Sequence, residues 1–293
     1  MGNLVNNIKS LELETLKNLK NSKAKNTLRA YQSDFRDFAD FCSLNSFTAI
    51  PTQPKIVALY LTYMSKTSKF STLKRRIASI SVIHKLKGHY LDTKHPVIME
   101  NLHGIRRSLG SRQKSKKPIL INDLKKIIKV IDDEKVSNRD SLKSNSKKNE
   151  QLRNKALILI GFAGGFRRSE LVNFTFDDLE YVDEGIKILI KRSKTDQSGE
   201  GIIKAIPYFD KSEFCPVIAL KNYIKFKFTE TKEGKVFEIS DKSVALIIKR
   251  YAEKAGLNSS YYSGHSLRSG FATTAAEFGA EERNIMAMTG HKT

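Results

Sequence analysis

The chain has 293 residues, with 52 Lys and Arg against 31 Asp and Glu, a net charge of +21, and 40% hydrophobic residues. That length and apolar content can build one large core or two ordinary ones. No apolar run reaches the ~18 residues of a membrane span, and the first twenty residues lack the basic start and apolar block of a secretory signal. Two cysteines far apart, Cys42 and Cys215, exclude a disulfide framework and a cysteine-rich zinc site. Set among apolar residues, they read as small buried hydrophobes and point to a reducing compartment. The charge points to a polyanionic partner, because each phosphate neutralised by a cation releases counterions. It is also uneven. Residues 1–117 hold 22 basic and 7 acidic residues, a net of +15, and residues 118–293 hold 30 and 24, a net of +6.

In chain order, residues 1–24 read as an amphipathic helix or an arm. Leu28, Tyr31, Phe35, Phe38 and Cys42 then repeat at spacings of three and four, the stripe of a helix, with Asp34, Arg36, Asp37 and Asp40 off it. After Pro51 and Pro54, Ile56, Leu59, Tyr60 and Tyr63 predict a second helix. A third begins near Ser71, with Leu73, Ile77, Ile80 and Ile83 inward and Lys74, Arg75 and Arg76 mostly outside that face. A fourth carries Ile98, Leu102, Ile105 and Leu109, with Arg106 and Arg107 beside it. Residues 25–110 thus predict a four-helix domain with a basic exterior. Residues 111–118 (SRQKSKKP) read as a basic linker that follows a phosphate backbone with Lys116 and Lys117.

Residues 119–293 predict a second domain, mixed α+β and mostly helical. It opens with a helix over 121–131. A polar loop over 133–150, a buried helix over 151–163 ending at Gly164-Gly165, and a short helix over 169–173 follow. Two β-rich runs, 185–192 and 201–208, form an antiparallel hairpin with a polar tip. Helices over 215–228, 243–255, 267–278 and 281–288 complete it.

Several polar groups interrupt apolar stretches of this domain. Arg167 and Arg168 follow the Gly-Gly break, with Glu170 placed to fix one guanidinium. In Gly264-His265-Ser266-Leu267-Arg268, His and Arg stand one helical turn apart and can face one point. Gly290-His291 follows an apolar helix, and Lys194 sits at the hairpin tip. Singly, each has an ordinary reading as an ion pair, a helix cap or a solvated lysine. Together they match what a pentavalent phosphoryl transition state needs. Arg supplies permanent bidentate donors, His exchanges protons near neutrality, and Lys can protonate a leaving alkoxide.

In this order, the segment Gly165-Phe166-Arg167-Arg168-Ser169-Glu170-Leu171 resembles the first arginine box of the tyrosine recombinase (phage integrase) family. Ser193-Lys194-Thr195-Asp196 is similar to its hairpin lysine segment, with Lys191, Arg192 and Lys204 as nearby alternatives. Gly264-His265-Ser266-Leu267-Arg268 resembles the His-x-x-Arg box, and Thr289-Gly290-His291 the final Gly-His box. Thr27-Leu28-Arg29-Ala30-Tyr31, with Asp34, Phe38 and Phe41-Cys42, resembles the core-binding domain, so the likeness spans about residues 25–293.

The resemblance implies a helical core-binding (SAM-like) domain, a catalytic domain and strand exchange through a 3′-phosphotyrosine, without metal, ATP or other cofactor. Arg167 and Arg268 would clamp the phosphate, and Glu170 would support the site. Lys194 would be general acid, His265 would assist the nucleophile, and His291 would bond the phosphate. Lys74, Arg75, Arg76, Arg106, Arg107, Lys116 and Lys117 would hold double-stranded DNA in a two-domain clamp. The family places its attacking tyrosine about nine residues beyond the Gly-His box, past Thr293. Tyr261 and Tyr262 precede the His-x-x-Arg box. The expectation is therefore a chain that binds a specific DNA site, does not cleave it, and forms its DNA-bound tetramer weakly. Cytoplasmic, nucleoid-associated action and a prokaryotic or mobile-element origin are expected. A non-catalytic DNA-binding regulator of the same fold and a type IB topoisomerase-like enzyme stand as alternatives.

Overall fold

The computed structural model describes residues 25–109, 116–135, 141–191, 201–228 and 233–290, with positions 10, 11 and 14. Two compact units result, Met1–Lys114 and Ser115–Thr293. The predicted arm, apart from those three positions, and linker residues 111–115 lie outside the described residues.

Over residues 25–109 the first unit forms α1 (Lys25–Leu44), α2 (Pro54–Ser65), α3 (Phe70–Leu86) and α4 (Pro96–Leu109). Their apolar stripes meet in one core in which Phe38, Tyr60, Leu61, Leu73, Ile80 and Ile98 are fully buried. Each such side chain contributes about 1.5–3 kcal/mol by leaving water. The Phe38 and Tyr60 rings meet edge-on at 5.1 Å.

Two charged groups join that core against expectation. Asp34, predicted off the apolar stripe, is buried, accepting from Arg75 at 3.0 Å and from the Ser79 hydroxyl at 2.8 Å. Arg76, predicted on the outer surface, is buried too. It donates to Asp37 at 2.6 Å and to the Tyr60 hydroxyl. Burial pushes the Tyr60 hydroxyl up to about 12 despite the neighbouring guanidinium.

The second unit is mostly helical around a three-stranded sheet. Its helices are α5 (Ile121–Asp132), α6 (Ser141–Ala163), α7 (Arg168–Leu171), α8 (Pro216–Lys227), α9 (Asp241–Lys254), α10 (His265–Glu277) and α11 (Glu282–Thr289). The strands β1 (Leu179–Val182), β2 (Gly185–Ile190) and β3 (Ile202–Pro207) pair antiparallel in that order. One apolar core runs from α5 through α6 and the sheet to α8, α9 and α10. Cys42 and Cys215 are free and buried, one in each unit.

Three predicted features change. Residues 141–150, expected in a loop, are the first turns of α6. Once the buried stretch over 151–163 is helical, each added polar residue gains a hydrogen bond without a new nucleus, so propagation carries the helix outward. Strand β1 was not predicted: it is four residues long, without an alternating pattern, and a tight turn to β2 holds it. Lys116–Pro118, assigned to the linker, belong to the second unit. The Lys117 N–H donates to Tyr261 O at 2.8 Å and the Ile119 N–H to Ser266 O at 2.9 Å.

Candidate active site

The site is built on the turn that ends α6. Gly165 takes φ +55°, a left-handed conformation that a side chain disfavours. A Cβ there would also lie 2.8 Å from the Phe271 ring of α10 and 3.3 Å from Thr289 at the end of α11. Three segments distant in sequence therefore meet at one backbone position.

Arg167 leaves this turn as the N-cap of α7. Its N–H donates to Glu170 Oε2 at 2.9 Å, and its guanidinium donates to Glu170 Oε1 at 2.6 Å and to Gly290 O at 2.9 Å. Glu170 is buried, so the pair is shielded and its geometry firm. Arg268, on α10, is buried and donates to Gly165 O at 3.0 Å. Burial first, and then the positive charge of Arg167, lower its pKa to about 10, so it stays charged at neutral pH. A Cβ on Gly264 would lie 1.9 Å from Arg168 Cδ, so the start of the His-x-x-Arg segment rests directly on the first arginine segment. His265, the first residue of α10, is exposed. Gly290 closes α11 in a left-handed cap and presents its carbonyl to Arg167.

The predicted site residues thus fall into groups. Arg167, Glu170 and Arg268 come together, with His265 one turn before Arg268. Lys194 and His291 lie outside the described residues. Of the alternative lysines, Lys191 is drawn to Asp178 at 2.7 Å. Burial would raise the Asp178 carboxyl, but the bonds from Lys191 and Thr175 outweigh it and hold it below its usual range.

Lys204, one of the alternative lysines, is buried against the turn before Arg167. Its ammonium donates to Gly164 O at 2.8 Å and to Met288 O, and lies 4.8 Å from the centre of the Phe166 ring. The signal was available in the alternation of β3, where Lys204 and Ile206 point inward and Ile203 and Ala205 outward. Tyr262 is buried and donates to Asp123 at 2.9 Å, and burial pushes its hydroxyl up to about 12. That hydroxyl is committed elsewhere.

Among the predicted DNA contacts, Lys74, Arg106 and Arg107 are exposed. Lys74 and Arg106 flank the Phe70 ring at 6.0 and 5.9 Å. Arg75 is exposed although paired with Asp34. Arg76 is the correction: its charge is spent inside the helical core on Asp37 and Tyr60. Lys116 donates to Ser260 O at 2.5 Å, and Lys117 stands 4.4 Å from the centre of the Tyr261 ring, both still exposed. No group of three or more metal-ligating side chains occurs among the described residues, and no described helix is long and apolar enough to cross a membrane.

Comparison with known proteins follows the same lines. The phage integrase family profile matches residues 125–293. An integrase/recombinase xerD homolog of Selenomonas ruminantium is 38% identical over 240 residues, covering 77% of this chain and 66% of that relative's length. The fold is similar to that of a XerH site-specific recombinase bound to its palindromic difH substrate (TM-score 0.60, 18% identity, 83% of this chain and 67% of that one). It is also similar to a lambda integrase dimer bound to a COC′ core site (TM-score 0.57, 16% identity, 96% and 90%). With the arginine and His-x-x-Arg segments brought to one turn, and the profile spanning more than half its length, the chain belongs to the phage integrase family.

Proposed function

We propose that this chain is the DNA-gripping body of a tyrosine-type site-specific recombinase acting on double-stranded DNA. One observation carries the reading. Among the described residues, Arg167 and Arg268 share a turn with one buried carboxylate, Glu170, so these three groups carry net positive charge. A pre-oriented, partly desolvated pair of guanidiniums is suited to the nonbridging oxygens of a phosphodiester, and such fixed donors are usually the largest catalytic contribution.

In this mechanism Arg167 and Arg268 hold the phosphate while a tyrosine hydroxyl attacks phosphorus. His265 assists removal of the hydroxyl proton. The P–O5′ bond breaks, Lys194 gives the leaving oxygen a proton, and a 3′-phosphotyrosine remains. His291 donates to the phosphate. A second 5′-hydroxyl reverses these steps on a new partner, so the ester bond energy is retained and neither ATP nor metal is consumed. The helical unit holds the duplex through Lys74, Arg75, Arg106 and Arg107, and Lys116 and Lys117 follow the backbone. The attacking tyrosine is assigned to the position about nine residues past the Gly-His box. Full activity is assigned to a tetramer on DNA in the cytoplasm.

The test extends the chain past Thr293 with its own downstream coding sequence and presents a library of nicked duplexes. A covalent protein–DNA adduct is expected, with none from residues 1–293. DNA binding without any adduct from the extended chain would favour a regulatory protein of the same fold.

A further inference from the structure

The buried ammonium of Lys204 is unusual because, among the described residues, no carboxylate binds it. Its two oxygen partners are main-chain carbonyls, Gly164 O in the turn before Arg167 and Met288 O in the last turn of α11. Those carbonyls belong to the two segments that also exchange the Arg167–Gly290 bond. The Phe166 ring, 4.8 Å away, completes the cage. The charged groups facing it are Glu170 of α7, which favours its proton, and Arg268 of α10 and Arg167, which oppose it. Retaining a buried cation beside two others is costly unless its bonds offset the desolvation. Lys204 is 2% exposed, so its ammonium is held away from solvent.

We propose that Lys204 is a positioning residue: it ties the Gly164-Gly165 turn to the end of α11, so that the first arginine segment and the Gly-His segment keep one geometry. The inference deepens the recombinase reading and rests on it for its functional meaning. Its structural half stands alone, because the Gly165, Phe166 and Gly290 amides are hydrogen-bonded within the tied segments and report their opening.

Hydrogen exchange at those three amides in residues 1–293 tests it, comparing wild type, Lys204→Met and Lys204→Arg. The Met variant, nearly equal in length but without donors, should lose about tenfold protection there while α5 and α9 stay within about twofold. The Arg variant, which keeps a charged donor, should recover most of that loss. In the tyrosine-extended chain, Lys204→Met should slow adduct formation about tenfold with duplex affinity nearly unchanged. Unchanged protection in the Met variant, equal loss in both variants, or loss spread evenly through α5 and α9 would overturn the assignment. An extended wild-type chain that forms no adduct would strike the recombinase reading instead, and the exchange result would still decide whether Lys204 ties the two segments.

Discussion

The two units hold their buried cations in opposite ways. In the helical unit, buried Arg76 is met by the side-chain carboxylate of Asp37, and its charge is cancelled where it sits. In the second unit, Arg268 has the Gly165 carbonyl among its partners, Lys204 is met by main-chain carbonyls, and Arg167 by one carboxylate and one carbonyl. A carboxylate orients a cation and neutralises it. A carbonyl orients it and leaves the charge for something else. In the proposed function, the helical unit meets DNA through its exposed cations, and the second unit through one concentrated positive site at Arg167 and Arg268.

That contrast breaks first at Arg167. In the tyrosine-extended chain, Arg167→Ala should lower the rate of covalent adduct formation by about 10²–10³-fold while duplex binding, read by gel shift, changes only a few-fold. Cleavage that persists would remove Arg167 from the site.

A carbonyl-held cation should also leave a signature in pH. Burial, opposed by Glu170 and assisted by Arg268 and Arg167, holds Lys204 at about 8, below its ordinary 10.5. Between those values the unfolded chain carries the proton and the folded chain does not, so this group makes stability rise with pH across that window. The stability of wild type relative to Lys204→Met should climb by up to about 3 kcal/mol from pH 8 to 10.5, measured by denaturant unfolding. A flat difference would mean that Lys204 is solvated.

For the carboxylate-held cation the loss should be structural. Arg76→Met should destabilise the helical unit by about 2 kcal/mol, because the Tyr60 hydroxyl and Asp37 lose their partner. Its effect on the salt dependence of DNA binding should be nil. The smallest change is expected at the surface. Lys74→Ala with Arg106→Ala should leave the fold intact and reduce the slope of log affinity against log salt by about 2. An unchanged slope would take these cations off the DNA.

The same contrast explains what could be read in advance. The helices, the β2–β3 hairpin and the cluster of Arg167, Glu170 and Arg268 were legible, because glycine breaks and charged groups interrupt apolar periodicity there. Arg76 reads as a surface cation because its partner Asp37 is 39 residues away, and a helical stripe does not reveal which charge on its flank finds a distant carboxylate. The partners of Lys204 are hidden for a related reason. Its partners are carbonyls, which every residue carries, so composition gives no sign of them. The helical start over 141–150 was hidden because its stability comes from the buried turns that follow it.

The central claim is that Arg167 and Arg268 aim at one phosphorus atom. A crystal structure of the protein on duplex DNA containing its recognition site tests this most directly. A single phosphate is expected, its nonbridging oxygens accepting hydrogen bonds from both guanidiniums at about 2.7–2.9 Å. If the two arginines instead contact different phosphates, or one of them contacts none, the account is contradicted.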